Sequence, residues 1–179
     1  MADTYKMKIA GLERELPLCP INEKLDIAAF VMFSDVEITV ASATELLKKC
    51  PDFDVILTAE SKGIPLGYEM ARQSGKPYIV ARKSVKLYMG DPIAVTVKSI
   101  TTSSEQTLYL SSEKAEMIRG KRVLIVDDVI STGESLNALE KLVKAANGEI
   151  SGKAAVLAEG GAADRTDIIF LEKLPLFFK

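Results

Sequence analysis

Two adjacent acids and a hydroxyl-rich turn form the stretch of this sequence whose residue types are best suited to binding or catalysis. Residues 123–135 read VLIVDDVISTGES, and the β-branched apolar run that opens them is typical of a buried strand, which Asp127 and Asp128 then end. The turn at residues 131–135 opens a helix, where backbone N–H groups can bind an anion. We expect the acids to bind a diol or a metal ion and the turn to bind a phosphate. The same pattern also occurs without any ligand, as an acidic strand end followed by a helix cap.

A second candidate for phosphate binding follows an earlier strand. The apolar run FDVILTA at residues 53–59 leads into Ser61, Lys62 and Gly63, just before Pro65, which favours the first turn of a helix. A lysine between a serine and a glycine at a helix start is a common context for anion binding. The sequence contains no G-x-x-x-x-G-K-[ST] run and no G-x-G-x-x-G run after a strand. A ligand with two separated phosphate ends and a diol between them fits this layout.

The composition excludes several catalytic classes. The 179 residues include no histidine, which rules out Ser–His and Cys–His nucleophilic machinery and histidine metal sites. With 23 basic and 25 acidic side chains the net charge is −2, so a broad nucleic-acid-binding surface is not expected. Cys19 and Cys50 are too few for a disulfide framework and indicate a reducing, cytoplasmic setting. No apolar run approaches a membrane span of about 20 residues, and the N-terminal stretch lacks the apolar core of a signal peptide.

Strands and helices are predicted to alternate along most of the chain, with strands at residues 53–59, 77–81, 123–126, 154–158 and 168–171. This order predicts one α/β domain over residues 1–179, with a doubly wound, mostly parallel sheet. Ligands bind such sheets at the carboxyl ends of the strands. The residues at these ends include Arg82, Lys83 and Glu159, besides the two stretches described above.

Two regions depart from this alternation. Residues 1–20 carry two prolines and are predicted to be irregular, and residues 27–38 are predicted to form a short strand pair. Residues 93–97 and 106–110 flank a polar turn and predict an antiparallel hairpin within an insertion at roughly residues 83–111. A hairpin with a polar tip is a candidate for a mobile flap.

Residues 123–135 resemble the signature for 5-phosphoribosyl-1-pyrophosphate (PRPP) of the type I phosphoribosyltransferases: an apolar strand, two acids, two apolar residues and a Thr-Gly loop. The resemblance extends over roughly residues 50–160. Residues 59–63 resemble the family's pyrophosphate loop, which often contains a non-proline cis peptide, and the hairpin resembles its flexible flap. The resemblance implies a glycosyltransferase of the pentosyltransferase class that uses Mg²⁺ and forms a homodimer. It also implies a small hood from roughly residues 1–38 and 160–179.

Each matching residue receives a role from this resemblance. Asp127 and Asp128 would be catalytic residues that bind the ribose hydroxyls and the metal ion. Pyrophosphate and Mg²⁺ would be held by the loop residues Ser61, Lys62 and Gly63. Basic positions that reach PRPP in relatives, sometimes across a dimer interface, match Arg82, Lys83 and Lys86. The loop for the 5′-phosphate comprises Ser131, Thr132, Gly133, Glu134 and Ser135.

The acceptor is predicted to be a purine base, with adenine favoured, so that PRPP and adenine would give AMP and pyrophosphate in purine salvage. Hypoxanthine/guanine-type relatives usually carry an acid at the position of Ser131. They also tend to place a lysine just after the strand that ends near Glu159, where this chain has Gly160 and Gly161. The flap is more similar to that of xanthine-type and regulatory relatives, and it lacks the Glu-Tyr pair of adenine enzymes. Glu105 is the nearest acid and the candidate catalytic residue of the flap.

Other interpretations stay open at this level. A PRPP-binding regulatory protein would keep the site without transferase activity. Such proteins usually add a DNA-binding module, for which residues 1–40 are short and acidic. A transferase for xanthine, hypoxanthine/guanine or orotate would share the PRPP site and differ in its base pocket.

Overall fold

The chain alternates strands and helices around one central sheet. The structure is a computed structural model that describes residues 3–98 and 105–179. Its elements, in chain order, are β1 (Thr4–Ile9), β2 (Leu12–Asn22), β3 (Leu25–Ala28), α1 (Val36–Lys49), β4 (Val55–Ala59), α2 (Ile64–Ser74), β5 (Tyr78–Ala81), β6 (Ile93–Lys98), β7 (Glu105–Leu110), α3 (Ser112–Ile118), β8 (Arg122–Ile130), α4 (Glu134–Ala145), β9 (Glu149–Glu159), β10 (Ile169–Leu174) and β11 (Leu176–Phe178). Short 3₁₀ helices cover Leu87–Met89 and Gly160–Asp164.

The central sheet has five strands in the order β10-β9-β8-β4-β5, and every neighbouring pair is parallel. Apolar side chains cover both faces. Leu57 and Ile125 pack with α3 and α4 on one face, and Ile56 and Leu124 pack with α1 and α2 on the other. Two-sided burial explains why these strands are continuous apolar runs in the sequence. The predicted doubly wound α/β fold is confirmed.

A second sheet, called the hood sheet below, has four antiparallel strands in the order β1-β2-β3-β11. The expectation that residues 1–20 are irregular is therefore wrong. Strands β1 and β2 form a hairpin around Ala10 and Gly11, both of which have positive φ angles (49° and 85°). Pro17 pairs with the first residue of β1, and Pro20 lies at an irregularity in the pairing of β2 with β3. These are positions at which a strand tolerates proline.

The predicted strand pair at residues 27–38 is also wrong. Strand β3 ends at Ala28, and α1 already begins at Val36. Asp35 caps this helix, since its Oδ1 accepts a hydrogen bond of 3.0 Å from the backbone N–H of Ile38. The same carboxylate accepts hydrogen bonds of 2.7 and 3.1 Å from the guanidinium of Arg14 on β2. This contact joins the hood sheet to the start of α1.

Strands β6 and β7 form the predicted antiparallel hairpin. The hairpin is packed into the core beside α4 along its length, because Val97, Leu108 and Leu110 are all buried there. The polar turn expected at its tip, residues 101–104, lies outside the described residues. Helix α3, which follows β7 directly and was not predicted, is capped by the hydroxyl of Ser111.

Candidate active site

A cleft of about 360 Å³ lies where the carboxyl ends of β4, β8 and β9 meet the hood sheet. The two candidate binding stretches, residues 60–63 and 127–135, both reach this cleft. The carboxyl ends of the strands are where a parallel sheet usually binds its ligand. The polar residues that line the cleft are Glu60, Ser61, Lys62, Lys83, Asp127, Asp128, Ser131, Ser135 and Glu159. Residues 27–31, from the end of β3 and the segment that follows it, also line the cleft.

Strand β4 leads into a tight loop at residues 60–63, where the peptide bond between Glu60 and Ser61 is cis, as the resemblance implies. Gly63 is the N-terminal cap of α2, and Pro65 occupies the first turn. Lys62 is about half exposed, and its Nζ lies 3.6 Å from Oδ2 of Asp128. Ser61 and Lys62 therefore place a hydroxyl and a cation on the wall of the cleft just before the start of α2, an arrangement suited to an anionic ligand.

Close packing explains the glycine at the end of this loop. A β-carbon on Gly63 would lie 2.6 Å from Oγ1 of Thr58 and 3.0 Å from Oδ1 of Asp127. Its φ of −74° is accessible to any residue, so the requirement for glycine is steric. The loop after β4 thus lies directly against the first acid of β8.

The paired acids lie within β8 and do not end it, contrary to the expectation from the sequence. Strand β8 continues to Ile130 because Val129 and Ile130 pair with Leu157 and Ala158 of β9. Asp128 is buried, with only 4% of its surface exposed, whereas Asp127 is half-buried. Oδ1 of Asp127 accepts a hydrogen bond of 2.9 Å from the backbone N–H of Asp128.

The electrostatics of the pair favour a bound hydroxyl or cation. Burial, and next the negative charge of Asp128, raise the pKa of Asp127 well above its ordinary value, and Lys62 opposes the shift. Oδ2 of Asp128 is buried, and no group among residues 3–98 and 105–179 donates a hydrogen bond to it. A buried acceptor without a hydrogen-bond donor, on the wall of a cleft, is a position at which a ligand donor or a cation gains free energy.

The loop at residues 131–135 connects β8 to α4, which begins at Glu134. Gly133 has a φ of +81°, a left-handed conformation that favours glycine. The loop surrounds a small hollow of about 50 Å³ beside Asp127, at the end of α4 that attracts anions. Oγ of Ser135 donates a hydrogen bond of 3.4 Å to the side-chain carbonyl of Gln106, which links the loop to β7 of the hairpin.

Of the three predicted basic residues after β5, one lines the cleft and two do not. Lys83 lines the cleft, and its backbone N–H donates a 3.0 Å hydrogen bond to Glu60. That bond, together with the nearby guanidinium of Arg82, lowers the pKa of Glu60. Arg82 is turned away from the cleft lining, with its guanidinium 3.1 Å from Glu60 and donating to the hydroxyl of Tyr88. Lys86 precedes the 3₁₀ helix at Leu87–Met89 and is also outside the cleft lining.

Glu105, the candidate catalytic residue of the flap, is exposed at the start of β7, opposite Lys98, and does not line the cleft. Glu159, for which the sequence predicted no role, does line the cleft. Burial raises the pKa of Glu159, and the positive charge of Lys62 acts in the opposite direction. Its position at the carboxyl end of a central strand was the available signal.

The acid pair is suited to a magnesium ion whose other ligands come from the substrate. Mg²⁺ in phosphate-processing sites is usually bound by one or two carboxylates together with substrate phosphates. Asp127 and Asp128 supply such carboxylates, including the unpartnered Oδ2 of Asp128. Within the described residues no group of three or more His, Cys, Asp or Glu side chains is placed to hold a metal ion by itself.

Residues 35–172 match the sequence model of the phosphoribosyl transferase domain family. The chain belongs to this family, which confirms the family predicted from the PRPP signature. Among described residues, no helix has the length and apolar character needed to cross a membrane.

Three curated relatives illustrate the range of the family. A hypoxanthine/guanine phosphoribosyltransferase of Methanotorris igneus is 32% identical over 158 residues, which cover 83% of this chain and 82% of the relative. One of Methanothrix thermoacetophila is 36% identical over 114 residues, 64% of this chain and 56% of the relative. The purine biosynthesis transcriptional repressor PurR of Bacillus subtilis is 30% identical over 64% of this chain and only 39% of its own length. The match therefore spans little more than half of some of these proteins.

The fold is shared with solved adenine phosphoribosyltransferases. The crystal structure of the enzyme from Thermoanaerobacter pseudethanolicus superposes with a TM-score of 0.72 over 88% of this chain and 95% of that chain, at 24% identity. At this level of identity the similarity establishes the fold.

Proposed function

We propose that this chain transfers the 5-phosphoribosyl group of PRPP to a purine base and releases pyrophosphate, with adenine as the acceptor and AMP as the product. The observation that supports the proposal is that the loops at residues 60–63 and 131–135, both candidates for anion binding, reach the same cleft as the acid pair. PRPP has the matching chemistry, since it carries a phosphate at one end, a pyrophosphate at the other and a diol in the middle.

Each wall of the cleft would bind one part of PRPP. The loop at residues 131–135 would bind the 5′-phosphate through backbone amides and hydroxyls. Asp127 and Asp128 would accept hydrogen bonds from the ribose hydroxyls. Lys62 and the loop at residues 60–63 would bind the pyrophosphate. Mg²⁺, bound by the phosphates and this acid pair, would neutralise charge on the leaving pyrophosphate.

The reaction itself needs little from the side chains beyond positioning. The bond from C1 of ribose to pyrophosphate breaks, and a ring nitrogen of the base bonds to C1 and loses its proton. Positive charge develops on the ribose ring as pyrophosphate departs, and the carboxylates of β8 would stabilise it. Holding base and PRPP together in a cleft supplies most of the remaining rate increase. The absence of histidine from the chain is compatible with this mechanism.

Adenine is proposed on residues at two places in this chain. Ser131 stands in the phosphate loop, where hypoxanthine/guanine-type enzymes usually carry an acid. Gly160 and Gly161 follow β9, where those enzymes tend to carry a lysine. The second candidate acceptor is a 6-oxopurine, because the Methanotorris relative, which aligns over 83% of this chain, is a hypoxanthine/guanine enzyme.

A panel assay tests the proposal. The protein is incubated with PRPP, Mg²⁺ and one of adenine, hypoxanthine, guanine, xanthine, uracil or orotate, and pyrophosphate release is measured. We expect the highest kcat/KM with adenine. A higher value with hypoxanthine or guanine would select the second candidate. Tight PRPP binding without turnover of any base would show a regulatory protein, the role of the PurR relative.

A pair of variants tests the site within the same assay. Asp127→Asn and Asp128→Asn keep the shape of the side chains and remove their charge, so the fold should persist while PRPP binding is lost. Unchanged PRPP affinity in both variants would show that the acids are only part of a strand.

A further inference from the structure

Arg165 lies just beyond the 3₁₀ helix that follows β9, and its guanidinium is fixed along one edge. Its Nε and Nη2 donate hydrogen bonds of 2.9 and 2.7 Å to the two carboxylate oxygens of Asp167. This bidentate pairing orients the planar group in a single direction. The pairing also raises the pKa of Arg165, so its positive charge is permanent at any working pH.

The partner of Arg165 is itself held in place. Lys153 of β9 donates to Asp167 and also to Glu140 of α4, the latter at 3.2 Å. Only 15% of the Lys153 side chain is exposed. The two cations and two acids of this network balance in charge. It connects Arg165 to α4, the helix whose first turn ends the loop at residues 131–135.

The remaining nitrogen of Arg165 is directed to that loop. Nη1 lies 2.9 Å from the position that a β-carbon would take on Gly133. Within residues 3–98 and 105–179, Nη1 has no hydrogen-bond acceptor. Arg165 also lines, with Ser131 and Thr132, a cavity of about 550 Å³ that adjoins the cleft, and both of these residues line the 50 Å³ hollow as well.

We propose that Arg165 is an additional phosphate-binding residue, which donates from Nη1 to the 5′-phosphate of a ligand in the loop at residues 131–135. The inference rests on the proposed function, because it takes the 5′-phosphate of PRPP or of the nucleotide product as the ligand. Asp167 occupies one edge of the guanidinium, and a phosphate oxygen completes its hydrogen bonding at the other edge. A charge-assisted hydrogen bond of this kind is among the stronger contacts that a phosphate makes with protein.

Calorimetric titration with two fragments of PRPP separates this role from the rest of the site. Ribose 5-phosphate reports on the 5′-phosphate loop, and pyrophosphate with Mg²⁺ reports on the loop at residues 60–63. We expect Arg165→Gln to weaken ribose 5-phosphate binding about ten- to a hundredfold and to leave pyrophosphate binding unchanged. The matched control is Arg119→Gln, which removes an exposed arginine paired with Glu116 at 2.9 Å and should change neither affinity.

Two further variants keep the test decisive. Arg165→Lys retains the positive charge but not the planar guanidinium, so it should lose less affinity for ribose 5-phosphate than Arg165→Gln does. If Arg165→Gln does not fold, Arg165→Lys serves as the test. Asp167→Asn keeps the arginine but weakens its orientation, and it should reduce ribose 5-phosphate affinity less than Arg165→Gln does. Unchanged ribose 5-phosphate binding in Arg165→Gln would overturn the role of Arg165 and leave the proposed function standing. A native protein that binds neither fragment would overturn both.

Discussion

Gly63 lies so close to Asp127 that a β-carbon on the glycine would be only 3.0 Å from Oδ1 of the acid. The loop after β4 and the acid pair of β8 therefore set each other's positions. Because Thr58 is even closer, at 2.6 Å, an added methyl group would push the loop outward and displace Lys62 with it.

Gly63→Ala should consequently reduce both stability and ligand binding. We expect a loss of about 1–3 kcal/mol in the free energy of unfolding, the usual range for overpacking, and at least a tenfold loss in PRPP affinity. Urea denaturation and PRPP titration measure the two effects. Gly161→Ala is the matched control for stability, since a β-carbon there meets nothing within 4 Å. Equal stability of the two variants would contradict the steric explanation.

The raised pKa of Asp127 predicts that this side chain destabilises the ligand-free protein at neutral pH. The folded state binds a proton at Asp127 more tightly than the unfolded state, where aspartate titrates near pH 3.9, so stability falls as pH rises above about 4 towards the folded pKa. Asp127→Asn should therefore be more stable than the native protein at pH 7, with a difference that disappears on acidification. Thermal unfolding at several pH values measures it.

Asp54 provides the control of opposite sign. Hydrogen bonds from the Arg122 side chain and backbone lower the pKa of Asp54 in the folded protein. Asp54 therefore stabilises the fold at pH values above its pKa in the unfolded chain, and this stabilisation is lost as the pH falls through its pKa in the folded protein. Asp54→Asn should be less stable than the native protein at pH 7. If both variants shift the melting temperature in the same direction at pH 7, the electrostatic interpretation of the acid pair is incorrect.

Lys62 is predicted to act on the pyrophosphate end of the ligand alone. Its positive charge, which opposes the raised pKa values of Asp127 and Glu159, lies beside the loop at residues 60–63. Lys62→Gln should weaken pyrophosphate binding about tenfold or more and leave ribose 5-phosphate binding nearly unchanged. Lys76→Gln, at an exposed position after α2, is the control for the loss of one charge. Equal weakening of both fragments would argue against separate loops for the two phosphate ends.

The contact between Arg14 and Asp35 predicts a measurable role in joining the hood sheet to α1. Asp35→Ala removes both the helix cap and the carboxylate that the guanidinium binds, and should cost about 1–2 kcal/mol in the free energy of unfolding. Glu37→Ala removes only an exposed partner of the same arginine and should cost less than about 1 kcal/mol. Urea denaturation of the two variants tests the difference.

The binding edge of the sheet was predictable from the sequence because its signals are local. The apolar strands, Lys62 with its glycine, and the Thr-Gly loop each occupy consecutive positions, and the carboxyl ends of parallel strands must meet. The continuation of β8 past its acids was not predictable, since it depends on pairing with β9.

Other features depend on contacts between distant parts of the chain. Strands β1 and β2 alternate charged and apolar residues and contain prolines, so their pairing only becomes evident from the sheet that they form. The orientation of Arg165 depends on Asp167, Lys153 and Glu140, which lie on three different parts of the fold. No pattern of consecutive residues encodes such a network.

The pairing of β11 with β3 in the hood sheet has a consequence for the order of folding during translation. The ribosome delivers both phosphate loops and the acid pair well before Leu176–Phe178, the residues that bond to β3 along one edge. Strand β10, at the edge of the central sheet, ends at Leu174, two residues before β11 begins, so the edge strands of both sheets leave the ribosome together. The domain folds as a unit, so the floor of the cleft and the hood sheet above it are completed at the same stage, when both strands have left the exit tunnel.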